Sequence, residues 1–146
     1  MLRKWDKGLQ RSNGSINIEY DTDYEGRRIA KRINGNVVLR YAWLDQLRVG
    51  AELDSNGVLL KQFVYSDGVN SPDYMIMSGK KYLFGKDHRG SITMVVDSET
   101  GEIKQKIKYA DWGEVLEDTN PGFQPFGYAG GLYDNHTKLY RFGARE

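Results

Sequence analysis

Between Glu102 and Tyr109 the charged residues Glu102, Lys104, Lys106 and Lys108 alternate with Ile103, Gln105, Ile107 and Tyr109. A period of two places one set in water and the other against a core, which is the signature of a half-buried strand. The same period sets Val37, Leu39, Tyr41 and Trp43 on one strand face, Leu47, Val49, Ala51 and Leu53 on another, and Ile92, Met94 and Val96 on a third. Helical spacing competes only over 43–53, where Leu44, Leu47 and Ala51 share a face, and Gly50 and the missing caps argue against it. Asn34-Gly35-Asn36, Asp54-Ser55-Asn56-Gly57, Ser66-Asp67-Gly68 and Ser98-Glu99-Thr100-Gly101 lie between these runs, each fit to close a tight antiparallel hairpin. Ser71-Pro72-Asp73 and Asn120-Pro121-Gly122 mark longer connections, because proline cannot donate to a ladder. The prediction is an all-β fold: an antiparallel meander of β-hairpins forming a curved sheet, with little or no helix. A polar lead over 1–17 precedes a single β-domain over 18–146.

Composition sharpens this picture. Ten Tyr and 17 Gly against 3 Pro suit many short strands joined by glycine turns. With 39% hydrophobic and 28% charged residues over 146 positions, the chain sits in the globular range, at the length of one domain. A net charge of +1 supplies no field for nucleic acid or anionic lipid, so neither is expected as a partner. No cysteine is present, which excludes disulfides, thiolate metal sites and cysteine nucleophiles. The polar start, MLRKWDKGLQRSNGS, lacks the apolar run of a signal peptide, and no window has the length of a membrane-spanning helix. The expectation is a soluble chain, cytoplasmic until a dedicated secretion system exports it.

Candidate chemistry is sparse. His88 and His136 lie in polar turns with no third ligand type at metal spacing, so no metal or cofactor is expected. Asp111 and Glu114 form a carboxylate pair that reads as a turn aspartate and a solvated strand glutamate rather than a glycosidase couple. Arg27, Arg28, Lys31 and Arg32 follow Glu19, Asp21, Asp23 and Glu25, which points to cross-strand ion pairs on a wet face. The aromatics are expected to be mostly core, with Trp43 and Trp112 as a candidate binding face. Asn13-Gly14-Ser15 and Asn135-His136-Thr137 match the glycan-acceptor pattern, which recurs by chance.

A loose unit repeats along the chain. Tyr20-Asp21 leads into Asp23-Tyr24-Glu25-Gly26-Arg27, and Tyr109-Ala110-Asp111-Trp112-Gly113 leads into Glu114-Val115-Leu116. Asp54-Ser55-Asn56-Gly57 and Asp87-His88-Arg89-Gly90 share an Asp-x-x-Gly turn in which the carboxylate can accept backbone N–H bonds. These units resemble the YD repeats of Rhs proteins, toxin-complex C components and teneurins. The likeness is strongest from Tyr82 to Arg145, which is similar to the Rhs-associated core. That segment holds Asp87-His88-Arg89-Gly90-Ser91, Pro125-Phe126-Gly127-Tyr128-Ala129-Gly130-Gly131-Leu132-Tyr133-Asp134 and Leu139-Tyr140-Arg141-Phe142-Gly143-Ala144-Arg145.

The resemblance implies a long β-strip coiled into a hollow shell around a variable C-terminal cargo, often a toxin. In many members of the family an aspartic-protease-like reaction severs that cargo. This chain carries few repeats, and Glu146 stands where the family commonly has aspartate, so self-cleavage is not carried over. The expected function is a non-enzymatic piece of a shell wall in a bacterial polymorphic-toxin setting, whose partners are other shell segments or a cargo polypeptide. Open strand edges imply self-association as well. The rival reading is a free-standing β-domain that binds carbohydrate or a protein through exposed aromatics.

Overall fold

In a computed structural model the described residues are 2–3, 11–13, 16–66, 71–134 and 137–141. They form strands β1 (Leu2–Arg3), β2 (Arg11–Asn13), β3 (Ile16–Asp23), β4 (Arg28–Ile33), β5 (Asn36–Trp43), β6 (Val49–Leu53) and β7 (Leu59–Val64). There follow β8 (Tyr74–Met77), β9 (Lys80–Lys86), β10 (Ile92–Asp97), β11 (Ile103–Tyr109), β12 (Val115–Asp118), β13 (Leu132–Asp134) and β14 (Leu139–Arg141). The single helical feature among these residues is a 3₁₀ turn, Tyr128–Gly130. The chain is all-β and its strands run as an antiparallel meander, as the alternation predicts. It divides into two compact units, 1–61 with 143–146, and 62–142.

In the first unit β1 and β2 both pair with β3, which continues to β4, β5 and β6. Asn34-Gly35 closes the β4–β5 hairpin with both residues at positive φ, 52° and 85°, the geometry that matches the twist of the flanking strands. Ile18 and Tyr20 are fully buried, and Ile16 and Ile33 pack against them. In the second unit β7, from Gln62 onward, pairs with β8, and β9 to β12 follow in order. The hairpin β13–β14 forms a separate small sheet. Phe63, Met75, Tyr82, Phe84, Ile92, Val95, Ile107, Phe126 and Leu132 make the core of this unit. Phe63 meets Phe126 edge to face at 4.8 Å and Tyr82 meets Phe123 at 5.4 Å, arrangements that add to the burial of area itself.

Three predicted faces are interrupted by β-bulges. Leu47, Val49, Ala51 and Leu53 do not share one face: Trp43 pairs with Val49 and Ala42 with Ala51, so Gly50 is an extra residue. Val49 and Glu52 are therefore the buried pair, and Leu47 stands in solvent in the preceding loop. Ile92, Met94 and Val96 likewise split at an extra residue, Thr93, which leaves Ile92, Val95 and Asp97 buried. On β11 an extra residue at Lys104 sends Ile103 outward, while Gln105 and Ile107 stay buried. The physical reason is common to all three, since one inserted residue inverts every later face.

The basic run divides in the same way. Arg27 pairs with Asp23 at 2.9 Å and Arg32 with Asp21 at 2.9 Å, the expected ion pairs. Arg28 and Lys31 are buried rather than wet. Thr22 pairs with Arg28 and Tyr20 with Lys31 because Ile29 is an extra residue, so both cations turn to the face of Tyr20. The Arg28 guanidinium lies 3.9 Å from the Tyr20 ring centroid.

Candidate functional site

The repeated turn is a defined structural device. In 23–27, Asp23 Oδ1 accepts the N–H groups of Glu25 and Arg27, Oδ2 accepts Arg27 Nε, and Gly26 N–H donates to the Asp23 carbonyl. Asp54 accepts from Asn56 and Val58, and Asp87 from Arg89 and Ser91, with distances of 2.8–3.0 Å. Gly26, Gly57 and Gly90 close these turns at φ of 83–87°, where a side chain would be strained. The 110–114 turn has the same backbone bonds, from Ala110 N–H to the Glu114 carbonyl and from Gly113 N–H to the Ala110 carbonyl. Ala110, not Asp111, thus occupies the aspartate position, and Asp111 is exposed one residue later. The carboxylate pair of Asp111 and Glu114 is placed on the outside of this turn, both residues solvated.

The turn bonds at Asp23 set its ionisation. Burial alone raises the pKa of Asp23, but the N–H groups of Arg27 and Glu25 and the Arg27 guanidinium outweigh it and hold the carboxyl below its ordinary range. Arg48 and the N–H groups of Leu47 and Arg48 pull Asp45 down to about 2. Lys31 is lowered to about 8 by burial and by Arg28, against the opposing pull of Glu52. Glu52 is buried and ion-paired with Lys61 at 2.9 Å. Tyr41, which pairs with Glu52 across β5 and β6, is raised by burial and then by that carboxylate.

The C-terminal motif folds onto the sheet of the second unit. Ile92 N–H donates to the Gly127 carbonyl, and Ala129 N–H donates to Ser91 Oγ at 2.7 Å. Tyr109 Oη donates to the Ile92 carbonyl, Tyr128 Oη to the Asp111 carbonyl and Tyr140 Oη to the Gly113 carbonyl. The rings of Tyr109, Tyr128, Tyr140 and Tyr133 follow one another at 5.8, 6.3 and 4.8 Å. Burial and the neighbouring phenols push the Tyr109 hydroxyl up, so it stays a donor at any ordinary pH. The glycines make room for this stack. A Cβ at Gly113 would stand 2.8 Å from the Tyr128 ring, one at Gly127 2.8 Å from Tyr140, and one at Gly130 2.9 Å from Ser71.

A buried amide relay completes the lock. Gln124 Nε2 donates to Gln105 Oε1 and to the Phe126 carbonyl, Phe126 N–H returns to Gln124 Oε1, and Gln105 Nε2 reaches Asp118. Sequence reasoning did not single out Gln105 or Gln124 in this role; a glutamine at an inward strand position was the available signal. Asp134 is buried and accepts the Thr137 N–H, while Gly131 N–H donates to the Tyr128 carbonyl.

His88 lines a cleft of about 380 Å³ with Ser71, Lys86 and Arg89, where Lys86 is already paired with Asp73 at 2.7 Å. Trp43 is half-buried and donates its indole N–H to the Arg28 carbonyl at 2.7 Å, whereas Trp112 is 78% exposed at a turn tip. Among the described residues no group of three or more His, Asp or Glu is arranged to hold a metal, and no helix is long and apolar enough to cross a membrane. His136, Phe142, Gly143 and Arg145 lie outside the described residues, as do parts of both glycan-acceptor triplets and of the 66–68 turn. Arg141 is placed by its backbone alone, opposite Leu132.

Antiparallel hairpins with recurring Asp-x-x-Gly turns, and a tyrosine–glycine segment bonded to the 110–114 turn, make this a repeat-built β-sheet segment. The teneurin YD-shell family profile matches residues 9–146, and the chain belongs to that family. Teneurin-1 of Gallus gallus is 30% identical over 149 residues, covering 92% of this chain and 6% of that protein. The tRNA3(Ser)-specific nuclease WapA of Bacillus spizizenii is 32% identical over 131 residues, covering 86% and 5%. A crystal structure of TcdB2-TccC3 without its hypervariable C-terminal region superposes with a TM-score of 0.56 at 19% identity, over 92% of this chain and 7% of that one. The chain thus spans about a twentieth of the length of these relatives, and it is a shell-type structural segment.

Proposed function

We propose that the chain forms a stretch of the wall of a YD-repeat shell and, joined to neighbouring shell segments, isolates a cargo polypeptide, with a toxin as the cargo class. The work is burial and exclusion rather than turnover. The observation that carries the reading is the bonding of the C-terminal motif to the 110–114 turn by Tyr128 and Tyr140, which stiffens a wall and leaves those hydroxyls committed to carbonyl groups. The cargo class is supported by the nuclease name of one relative and the hypervariable C-terminal region named for another. In this reading the nuclease activity belongs to the part of that relative beyond the matched twentieth.

Co-expression with the polypeptides encoded on either side of this chain tests the proposal. The expected result is a stable complex that co-purifies, with no RNA hydrolysis by the chain alone. Failure to bind any neighbouring polypeptide, or RNA cleavage abolished by His88→Ala, overturns it.

A further inference from the structure

In the second unit the Asp87 turn and the C-terminal segment flank the cleft of about 380 Å³, which Ser71, Lys86, Asp87, His88, Arg89 and Ala129 line. Its walls are fixed. Asp87 Oδ1 accepts the N–H groups of Arg89 and Ser91, and Ala129 N–H donates to Ser91 Oγ. Ser71 packs so closely on the turn that a Cβ at Gly90 would stand 3.2 Å from its Oγ. Lys86 is satisfied, with Nζ on the Ser71 carbonyl at 3.2 Å and on Asp73 at 2.7 Å.

Arg89 differs. Its Nη1 is 3.8 Å from Asp87 Oδ2, beyond hydrogen-bond distance, and among the described residues its guanidinium donates to no acceptor. The guanidinium lies 5.5 Å from the centroid of the Tyr128 ring, which is itself pinned by its hydroxyl to the Asp111 carbonyl. A planar fork of donors, 40% exposed, is thus held at the cleft on a rigid aromatic support, the arrangement that suits bidentate capture of an oxyanion. Beside it His88 is exposed and, among the described residues, makes no hydrogen bond. Charge balance selects the class of anion. The cations Lys86 and Arg89 face the carboxylates Asp73 and Asp87, so the cleft has no surplus charge for a phosphate dianion, and a monoanion fits. No aromatic ring other than His88 lines it, which gives a sugar acid no broad apolar face to stack on and favours a flexible side chain.

We propose that this cleft binds a carboxylate side chain of an acidic polypeptide segment, with the Arg89 fork as its anchor and His88 as a second donor. The inference goes beyond the shell reading and does not depend on it.

Amide chemical shifts of the full chain, titrated separately with N-acetyl-glutamate amide, its neutral isostere N-acetyl-glutamine amide, glucuronate and inorganic phosphate, test this. The amides of residues 87–91 and 129 are expected to move and saturate with the glutamate compound, in the millimolar range open to so small a ligand, and to respond far more weakly to the other three. Arg89→Gln abolishes the saturable response, and Arg89→Lys, which keeps the charge without the fork, weakens it ~10-fold, the loss of one charge-assisted hydrogen bond. Unchanged urea midpoints show that both variants fold, and the four-probe comparison on the unaltered chain decides the ligand class without them. No saturable shift, an equal response to the neutral isostere, tighter binding of phosphate or glucuronate, or undiminished binding by a folded Arg89→Gln chain overturns the proposal. A null titration beside intact co-purification with shell neighbours removes this inference and leaves the proposed function standing.

Discussion

The turn glycines divide into two kinds that one substitution separates. Gly57 has φ of 84° and open space around its missing Cβ, whereas Gly113 has φ of 94° and the Tyr128 ring 2.8 Å from that position. Gly57→Ala is expected to cost ~1–2 kcal/mol, the strain of a left-handed alanine. Gly113→Ala adds ~1–3 kcal/mol of overpacking to the same strain, and paired urea midpoints measure the difference. The turn acids predict an acid limb. Asp23, Asp45, Asp73 and Asp97 are all held below the ordinary value of 3.8, so their contribution is complete above pH ~4 and is lost as pH falls through the folded values, toward about 2 for Asp45. Asp45→Asn flattens the lower end of that limb in a denaturation series run against pH. At this scale the Asp-x-x-Gly turns are legible, because Asp and Gly act on their own backbone. Ala110 in the aspartate position is not, since its turn closes by backbone bonds that leave no mark in residue type. The need for Gly127 is equally hidden, because its reason is Tyr140, a distant residue.

Strands are where period-two reading both succeeds and fails. Val37, Leu39, Tyr41 and Trp43 do share the half-buried face of β5, even though Val38 is an extra residue against β4, where Arg32 pairs with Val37 and Lys31 with Leu39. The extra residues Ile29, Gly50, Thr93 and Lys104 invert the faces that follow them, and periodicity cannot locate an insertion of one. One result is the buried charged face of the first unit, where Tyr20, Arg28, Lys31, Tyr41 and Glu52 lie together. Glu52→Ala strands a largely buried Lys61 and is expected to cost ~3–5 kcal/mol in chemical denaturation. Lys31 supplies an alkaline signature. With a folded pKa of about 8 against an ordinary 10.5, the unfolded chain binds more protons between these values, so stability rises with pH there. Lys31→Met removes that rise between pH 8 and 10; a slope that persists in the variant assigns it elsewhere.

For the molecule as a whole, the class of fold was readable because hairpin turns and alternation recur along the entire chain, and the family because the C-terminal motif is long and specific. The tyrosine–glycine lock required coordinates, since it depends on which turn carbonyl groups come within reach of which hydroxyl. A wall segment does its work through the strands it joins, so its margins should change state on assembly while its interior should not. Hydrogen exchange followed by mass spectrometry, on the chain alone and in complex with the polypeptides encoded beside it, reads this directly. The expected result is that amides of β12, residues 115–118, exchange fast in the isolated chain and become strongly protected in the complex, while those of β9 to β11 are protected in both. Equal exchange of β12 in the two states, with the complex intact, contradicts a wall built edge to edge.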